Sequence, residues 1–357
     1  MPATAAMARA RGALARSLRD GLEARGYLEV ETPIAVPVAG QEPHLRPFET
    51  CFTPDLPVPP GGVEGARRLH LHTSPEYAMK RLLGEREGFG RCYQLARVFR
   101  DGEISRNHNP EFTLLEFYAA PGSAASIMED LEALLAAAAM AVRGEERAPP
   151  RQGHGRGARG PAIALAPPFE RLSCRDAFLR YAGFDPLALP DAEALRQAAR
   201  TVGVRPSAAG SWDDVFVQIL VEKVEPCLGL ERPTYLTGYP ASQAALAKLS
   251  QSDPRVAERF ELYAGGLELA NGFSELNDAR EQRARLEEEQ RLRASLHREV
   301  FPLDERFLAS LATLPDAGGV AVGVDRLLML LAGAGTIADV LLFPAAEEYP
   351  AARRTDR

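Results

Sequence analysis

The sequence predicts an α+β fold in which an antiparallel β-sheet is flanked by helices. Two pairs of segments alternate apolar and polar residues as strands do, and each pair is joined like a hairpin. One pair is 91–100 with 110–120, and the other flanks Gly265-Gly266. Segments with helical periodicity lie between the pairs. Because hairpins join antiparallel strands, whereas a doubly wound parallel sheet alternates strand and helix, the antiparallel arrangement is favoured.

The remaining elements follow from periodicity and from start and stop signals. Residues 26–33, GYLEVETP, indicate a glycine break and a strand that Pro33 ends. Ser74 is expected to cap a helix over 74–84, and Ser173 is expected to cap another through a capping box. Further helices are predicted at 6–25, 122–142, 191–202 and 212–224, an exposed charged helix at 285–300, and further strands at 67–74 and 233–240.

The domain organisation is predicted to be simple. One domain is expected over residues 1–345, followed by a C-terminal tail at 346–357. Residues 144–168 are rich in Gly, Pro and Arg, which is typical of a flexible linker or surface insertion.

The composition restricts the class of protein. The chain has 357 residues and a formal charge of −7, which argues against a dedicated nucleic-acid binder. Its four cysteines are scattered without a C-x-x-C pair, so buried structural thiols are expected. No apolar run is long enough to span a bilayer or to serve as a signal peptide, and a cytoplasmic protein is therefore expected.

An acidic hairpin is the first candidate site. In ELYAGGLELANGFSEL, residues 261–276, Glu261, Glu268 and Glu275 lie seven residues apart in an otherwise apolar or small context. A Gly-Gly turn predicts that Glu261 lies near Ala270, on the strand that carries Glu268. Carboxylates brought together on a sheet repel one another unless a cation lies between them. A hard divalent cation, a substrate ammonium group and a plain exposed hairpin all remain open at this point.

Two arginines are the second candidate site. Arg100 follows a predicted strand, and Glu116 and Tyr118 share one face of the returning strand. An arginine in that position can bind a phosphate or carboxylate through two parallel hydrogen bonds. Arg326 stands in an apolar segment, which is costly unless the guanidinium is paired. A structural pair with the adjacent Asp325 is the alternative to a ligand-binding role.

Several motifs together resemble the class II aminoacyl-tRNA synthetases, and within them the lysyl branch. GYLEVETP resembles the first motif of that class, FRDGEISRNHNPEFTLLEFY the second and GVAVGVDRLLML the third. ELANGFSELNDAREQ is similar to the lysine-specific segment. The resemblance covers about residues 10–345 in the same order and spacing. It implies the class II catalytic fold, the use of ATP and Mg²⁺, and a homodimer with Pro33 at its interface.

The sequence is closer still to the EpmA family, which are truncated paralogues of lysyl-tRNA synthetase. The first motif begins at Gly26, so an N-terminal OB domain that reads the anticodon is not expected. Enzymes of that family activate (R)-β-lysine with ATP and transfer it to a lysine of elongation factor P. Where lysyl-tRNA synthetases have a glycine in the third motif, this chain has Ala321. The resemblance implies the same reaction with (R)-β-lysine or lysine, and it implies no tRNA binding.

The resemblance also implies roles for the residues that match the family's motifs. Arg100 and Arg326 would be the catalytic residues, since they bind the α-phosphate with the substrate carboxylate and the far end of a bent ATP. Mg²⁺ would be held by Glu261 and Glu268. The nucleotide would be bound by Arg100, Asp101, Gly102, Glu103, His108, Asn109, Glu268, Leu269, Gly323 and Arg326. The amino acid would be bound by Ser74, Glu76, Glu116, Tyr118, Asn271, Phe273, Glu275 and Ala321, with Glu275 and Tyr118 at its side-chain ammonium.

One motif departs from the lysyl-tRNA synthetases. They read F-R-N-E where this chain reads Phe99-Arg100-Asp101-Gly102-Glu103, so the carboxylate that contacts adenine is displaced or replaced. Glu103 is the expected substitute.

Two alternative functions remain open. One is an enzyme that lysylates tRNA without an anticodon domain, against which the acidic charge argues. The other is a non-catalytic synthetase paralogue with a regulatory role, which the presence of both arginines and all three glutamates disfavours.

Overall fold

The computed structural model describes residues 4–53, 67–150 and 162–349 of the chain. The strands within these residues are β1 (Leu28–Glu29), β2 (Ala35–Val36), β3 (Glu49–Phe52), β4 (Arg67–Leu71), β5 (Arg91–Phe99), β6 (Glu111–Ala119), β7 (Arg147–Ala148), β8 (Ile163–Ala164), β9 (Glu170–Ser173), β10 (Thr234–Pro240), β11 (Val256–Ala264), β12 (Leu267–Ser274) and β13 (Gly318–Gly323). The α-helices are α1 (Ala5–Glu23), α2 (Glu76–Glu85), α3 (Ala124–Arg143), α4 (Cys174–Tyr181), α5 (Ala192–Thr201), α6 (Trp212–Ile219), α7 (Ala279–Ser295), α8 (Glu305–Ser310), α9 (Val324–Ala332) and α10 (Ala345–Glu348).

One eight-stranded sheet organises the protein, in the order β1-β5-β6-β13-β12-β11-β10-β9. From β5 to β10 every neighbouring pair is antiparallel, as the sequence predicts. Both edge strands instead pair in parallel, β1 with β5 and β9 with β10. Long connections that contain helices separate those partners, and parallel pairing requires such a crossover. The sheet is therefore mixed at its edges, and the sequence did not predict β9.

Helices cover the sheet through apolar stripes. Leu14, Leu18 and Leu22 are spaced four residues apart on α1, and all three are fully buried. They belong to the same core cluster as Leu131 and Leu135 of α3. Helix α3 contacts β11, β12 and β13, and α1 packs against α3, so these helices cover one face of the sheet. On the opposite face, α4 and α6 share a second core cluster with Leu236 of β10, and α2 and α8 share a third with Tyr118 of β6.

The two predicted helix caps have different outcomes. Ser173 caps α4 as expected, and its Oγ accepts a hydrogen bond from the amide of Asp176 at 3.0 Å. The predicted capping box is not complete, because the Asp176 carboxylate accepts from Ser173 Oγ at 2.7 Å and not from the Ser173 amide. At α2 the capping residue is Pro75, which makes no side-chain cap. Ser74 lies one residue earlier, where its Oγ accepts from the Glu76 amide at 3.0 Å and donates to Glu116 at 2.6 Å. The cap prediction was wrong by one residue, and the hydroxyl of Ser74 is directed to the sheet.

The acidic hairpin forms with a register that differs from the prediction. Gly265 and Gly266 both have positive φ, +62° and +66°, which suits a tight two-residue turn. An irregularity between Leu262 and Tyr263 then shifts the pairing by one residue. As a result, Glu261 lies opposite Asn271 and not near Ala270 as predicted.

The Gly- and Pro-rich segment is anchored at both ends. Strands β7 and β8 pair antiparallel, and Ala148, Ile163 and Leu165 are buried in the main core. These ends are therefore ordered parts of the fold, while residues 151–161 lie outside the described part of the chain, and the linker or surface insertion stays a prediction. Of the predicted tail at 346–357, residues up to Tyr349 are described and include most of α10.

The prediction of buried cysteines is confirmed for two of the four. Cys92 and Cys174 are buried as predicted, whereas Cys51 is exposed and Cys227 is half-buried. Among the described residues, no helix has the length and apolar character needed to cross a membrane.

Candidate active site

A cavity of about 480 Å³ opens on the face of the sheet opposite α3, and its volume is within the usual range for ligand sites. Fourteen of the predicted site residues line it, namely Ser74, Glu76, Arg100, Glu103, His108, Asn109, Glu116, Glu268, Leu269, Asn271, Phe273, Ala321, Gly323 and Arg326. The sheet register brings three of its strands together, since Ala321 on β13 lies between Glu116 on β6 and Asn271 on β12. The lining does not include Asp101, Gly102, Tyr118, Glu261 or Glu275.

The first part of the cavity is the arginine region, which consists of Arg100, His108, Glu268 and Arg326. Arg100 follows β5, and its guanidinium lies 5.0 Å from the ring centre of Phe112. Its Nε is buried and has no hydrogen-bond partner among the described residues. Its nearest carboxylate is that of Glu103, at 4.0 Å from Nη1. Because a buried N–H without an acceptor is costly, Arg100 is ready to bind an anionic ligand.

Arg326 enters the same region from the first turn of α9. Its Nη1 donates to the Glu268 backbone carbonyl at 3.1 Å and to the Glu268 carboxylate at 3.2 Å. Its neighbour Asp325 instead accepts hydrogen bonds from Arg11 and from the Thr113 amide. The alternative of a structural Asp325–Arg326 pair is therefore wrong, because the two side chains have different partners.

His108 joins Arg326 to the loop between β5 and β6. Its Nε2 is 2.7 Å from Arg326 Nη2, and its Nδ1 is 2.7 Å from Ser105 Oγ. Burial, Arg326 and Arg100 lower the pKa of His108 to about 4. The imidazole is therefore neutral near neutral pH, so Nε2 can accept from Arg326, and the positive charge of this region comes from the arginines.

The loop after Arg100 carries two carboxylates, Asp101 and Glu103, and of these two Glu103 lines the cavity. Asp101 is held by Arg46, with 2.6 Å between Oδ2 and Nε. Gly102 has a φ of +82°, a conformation that side chains rarely adopt. Asp101 and Gly102 line a neighbouring depression, whereas Glu103 lines both that depression and the main cavity. The geometry thus favours Glu103 as the adenine-facing carboxylate, and the contact itself stays a prediction.

Next to the arginine region is the carboxylate region, which consists of Glu76 and Glu116 in the cavity lining and of Lys80 and Glu275 behind it. Glu116 is fully buried, and its two oxygens accept hydrogen bonds from Ser74 Oγ at 2.6 Å and from Tyr118 Oη at 2.9 Å. Burial and the nearby Glu76 raise the pKa of Glu116 to about 8. A carboxyl group with this pKa can hold a proton in the empty site and ionise when a cation arrives.

Glu275 and Tyr118 lie behind the cavity wall. Glu275 is fully buried, and its Oε2 lies 2.5 Å from the ammonium of Lys80, which the sequence analysis missed. A Cβ at Gly319 would collide with the Tyr118 ring and with Glu275, which explains the glycine at this position. The assignment of Glu275 and Tyr118 to the substrate ammonium stays a prediction, and the visible partner of Glu275 is Lys80. A lysine four residues after Glu76 inside an apolar helix was the available signal.

The expected Mg²⁺ ligands differ in how well they fit a metal. Glu268 lines the cavity, and its side chain is 40% exposed. Glu261 lies off the cavity, and its oxygens bind Tyr239 at 2.6 Å, Tyr263 at 2.5 Å and Arg259 at 2.5 Å. The described residues contain no group of three or more metal-ligating side chains. A magnesium ion held mainly by substrate phosphates and one carboxylate fits Glu268, whereas Glu261 would first have to release its partners.

Two further residues near these positions have structural partners. Asn109 donates to the Glu111 carbonyl at 2.7 Å and accepts from the Ala345 amide at 2.9 Å, so its side chain fixes α10 to the loop. Glu225, which the sequence did not single out, accepts from Tyr263 Oη at 3.2 Å. Burial and the carboxylates of Glu261 and Glu268 raise the pKa of Glu225 to about 7.

Comparisons with known proteins identify the family of the chain. A family model described as tRNA synthetases class II (D, K and N) matches residues 1–347, and the chain therefore belongs to that class. An elongation factor P–(R)-β-lysine ligase of Proteus mirabilis is 44% identical over 323 residues, which cover 90% of this chain and 89% of that protein. The ligase of the same name from Salmonella typhi is 43% identical over 336 residues, 93% of either chain. Within the class, the chain belongs to the family of these ligases.

The family membership confirms the predicted fold class and the predicted resemblance. It also makes the protein an enzyme of ligase type and implies that it uses ATP. The individual site residues are not tested by these comparisons.

Proposed function

We propose that the protein activates (R)-β-lysine, or lysine, with ATP and transfers it to a lysine side chain of elongation factor P. One observation carries the proposal. A single cavity contains both a buried arginine nitrogen without an acceptor, on Arg100, and the buried carboxylate Glu116 with a raised pKa. The first suits a phosphate or carboxylate, and the second suits an ammonium group. An amino acid with an extra amine, joined to ATP, has all of these groups.

In the first step, a carboxylate oxygen of the amino acid attacks the α-phosphorus of ATP. An oxygen–phosphorus bond forms, the bond to the β-phosphate bridging oxygen breaks, and pyrophosphate leaves. The attacking carboxylate is already ionised, so no general base is needed. Arg100 would hold it against the α-phosphate, and Arg326 would bind the far phosphates. Positioning and neutralisation of phosphate charge supply the rate enhancement in reactions of this kind.

In the second step, the neutral amine of the acceptor lysine attacks the carbonyl carbon of the adenylate. A nitrogen–carbon bond forms, the carbon–oxygen bond to AMP breaks, and the amine loses one proton to solvent. The product is an amide on the acceptor protein.

The proposed cofactor is Mg²⁺, with Glu268 as its protein ligand and Glu261 as a second ligand if its hydrogen bonds rearrange. Bound there, the ion would neutralise phosphate charge. Glu268 pairs with Arg326 through a single carboxylate oxygen at 3.2 Å, so its other oxygen is available to a metal.

We also propose a cytoplasmic homodimer that does not bind tRNA. Support for the dimer comes from the first-motif segment, in which Leu28 and Ile34 are 50% and 43% exposed on either side of Thr32 and Pro33. Apolar side chains exposed together mark surfaces that other chains cover. The net charge of −7 disfavours tRNA.

The decisive experiment is ATP–pyrophosphate exchange with (R)-β-lysine and α-lysine side by side, followed by transfer of labelled amino acid to elongation factor P and to bulk tRNA. Preference for (R)-β-lysine and labelling of the protein acceptor are expected. Preference for α-lysine with labelling of tRNA would favour the tRNA-lysylating alternative. Exchange with neither isomer would contradict the proposal and favour a non-catalytic paralogue.

A further inference from the structure

Lys80 occupies the centre of the carboxylate region. Its side chain is fully buried, and its Nζ is 2.6 Å from Oε1 of Glu76 and 2.5 Å from Oε2 of Glu275. The ring centre of Phe273 is 6.0 Å from the same nitrogen. A buried ammonium is stable only when paired carboxylates offset its loss of hydration. Lys80 and the two glutamates therefore hold one another in place.

The pairing fixes the orientation of the carboxylate that faces the cavity. Lys80 binds Oε1 of Glu76, which leaves Oε2 of that residue for a ligand. The Glu76 amide is held as well, by Ser74 Oγ at 3.0 Å. A carboxylate restrained at both its backbone and one oxygen keeps its direction without a ligand, and such preorganisation lowers the cost of binding.

The pairing also sets the charge of the region. Glu76, Glu116 and Glu275 bring three negative charges when ionised, and Lys80 brings one positive charge. The two remaining negative charges equal the two ammonium groups of a diamino acid. An amino acid with one ammonium group would leave one of these carboxyl groups without a cation, and that group would stay protonated and add no attraction for the ligand.

We propose that Lys80 is a positioning and specificity residue, which fixes Glu76 and Glu275 so that the cavity takes an amino acid with two ammonium groups. This inference rests on the proposed function, because it concerns how the diamino acid is recognised. Lys80 itself does not line the cavity, so it acts through the two glutamates.

The dependence on pH follows from the groups around Glu275. Helix α2, strand β6 and the loop before β11 place titratable or charged groups toward it, which are Glu76, Lys80, Tyr118 and Lys248. Burial and Glu76 raise the pKa of Glu275 while Lys80 and Lys248 lower it, and the result is about 7. Without the Lys80 charge this pKa rises further. Glu275 then holds a proton at neutral pH and regains its charge as the pH is raised.

The test compares Lys80→Met with Arg81→Met, a matched control on the same helix whose ion pair with Glu85 is partly exposed. KM for (R)-β-lysine and for ATP is measured by pyrophosphate exchange from about pH 7 to about pH 9, where a carboxyl group of raised pKa would titrate. We expect Lys80→Met to raise KM for the diamino acid at least about tenfold near neutral pH, with partial recovery at high pH. KM for ATP and the behaviour of Arg81→Met are expected to match the wild type.

A double variant covers the case in which Lys80→Met does not fold. Lys80→Met with Glu275→Gln removes both members of the fully buried pair, and Glu76, which also loses Lys80, is partly exposed to solvent. It is expected to show the same rise in KM for the diamino acid, but without recovery at high pH, because glutamine does not titrate. Both variants should also discriminate less between (R)-β-lysine and 6-aminohexanoate, which has a single amine.

Two results would overturn the inference. One is an unchanged KM for (R)-β-lysine and unchanged selectivity in whichever of the two variants folds. The other is an equal rise in KM for ATP and for the amino acid, which would indicate a structural role of Lys80. Wild-type enzyme that exchanges with no lysine isomer would contradict the proposed function instead, so the two failures are distinguishable.

Discussion

The arginine region and the carboxylate region of the cavity hold their charges in opposite ways. In the arginine region the side chains of Arg100, Arg326 and Glu268 are 26%, 20% and 40% exposed. In the carboxylate region the side chains of Lys80 and Glu275 are 0% exposed. The first set of charges is in contact with solvent, and the second is enclosed by protein.

The difference reflects what each region has to bind. A partly exposed ion pair such as Arg326–Glu268 is worth little, so phosphate groups can displace it at low cost. A buried network is expensive to rearrange, and it holds its geometry before the ligand arrives. Under the proposed function, the arginine region would adjust to a flexible triphosphate, whereas the carboxylate region would select among small amino acids that differ in the position of an amine.

The largest effect is expected from loss of the arginine that lacks an acceptor. Arg100→Ala should reduce the rate of pyrophosphate exchange by about 10²–10³-fold, because the charge developing on the α-phosphate would lose its stabilising donors. Arg97→Ala on the same strand is the control, since Arg97 is exposed and pairs with Glu111. Equal rates in the two variants would remove Arg100 from the reacting centre.

A smaller effect, on KM for the amino acid and not on KM for ATP, is expected from a substitution in the carboxylate region. Glu116→Gln should raise KM for the diamino acid roughly 10- to 100-fold and leave KM for ATP unchanged, because a charge-assisted hydrogen bond to the ammonium group is lost. Glu111→Gln, at an exposed position of the same strand, is the control.

The pKa of Glu116 adds a pH dependence to that prediction. Because this pKa is raised to about 8, the empty site holds a proton below that pH, and an arriving ammonium group favours the ionised form. Affinity should therefore rise with pH toward about 8, with proton release on binding, and both effects should disappear in Glu116→Gln. Calorimetry in buffers of different ionisation enthalpy measures the released proton, and an affinity independent of pH would contradict the assignment.

A moderate change in selectivity is expected at the boundary of the two regions. Ala321 lines the cavity between the positions of Glu116 and Asn271. Ala321→Gly should relax the preference toward α-lysine by about 10-fold, because removal of a methyl group makes room near the substrate backbone. The ratio of kcat/KM for the two isomers is the measurement, and an unchanged ratio would show that selection occurs elsewhere.

The smallest effect is expected at the edge of the arginine region. Glu103→Gln should raise KM for ATP about fivefold, which corresponds to roughly 1 kcal/mol for one hydrogen bond. Asp101→Asn should leave it unchanged, since Asp101 binds Arg46 and does not line the cavity. The reverse result would assign the adenine contact to Asp101.

Most of the fold could be predicted because the signals for its strands, turns and helices lie in residues that are close together in the sequence. Alternation gave the strands β5 and β6 almost to the residue, and the Gly265-Gly266 turn placed the acidic hairpin correctly. The predicted register of that hairpin was wrong, because the irregularity near Leu262 leaves no clear signal in the residue types. The parallel pairing of the two edge strands was not predicted, because it depends on strands that lie far away in the sequence.

For the candidate site, the sequence predicted residues that line the cavity but not the residues with which they form ion pairs and hydrogen bonds. Motif resemblance identified fourteen of the 29 residues that line the cavity. It could not show that Asp325 binds Arg11, or that Lys80 stands between Glu76 and Glu275. Such pairs join elements far apart in the chain, and they depend on how the helices are set on the sheet.

The contact between Arg11 and Asp325 has a consequence for how the protein is handled. Arg11 of the first helix also donates to the Val340 carbonyl at 3.1 Å, so this helix ties down the residue next to Arg326 and the segment beyond it. Asp325 is fully enclosed and holds the Thr113 amide at 2.7 Å. Deletion of the first helix would thus remove a contact that holds Asp325, the residue next to Arg326. Kinetic work on this enzyme therefore requires that the first helix be retained.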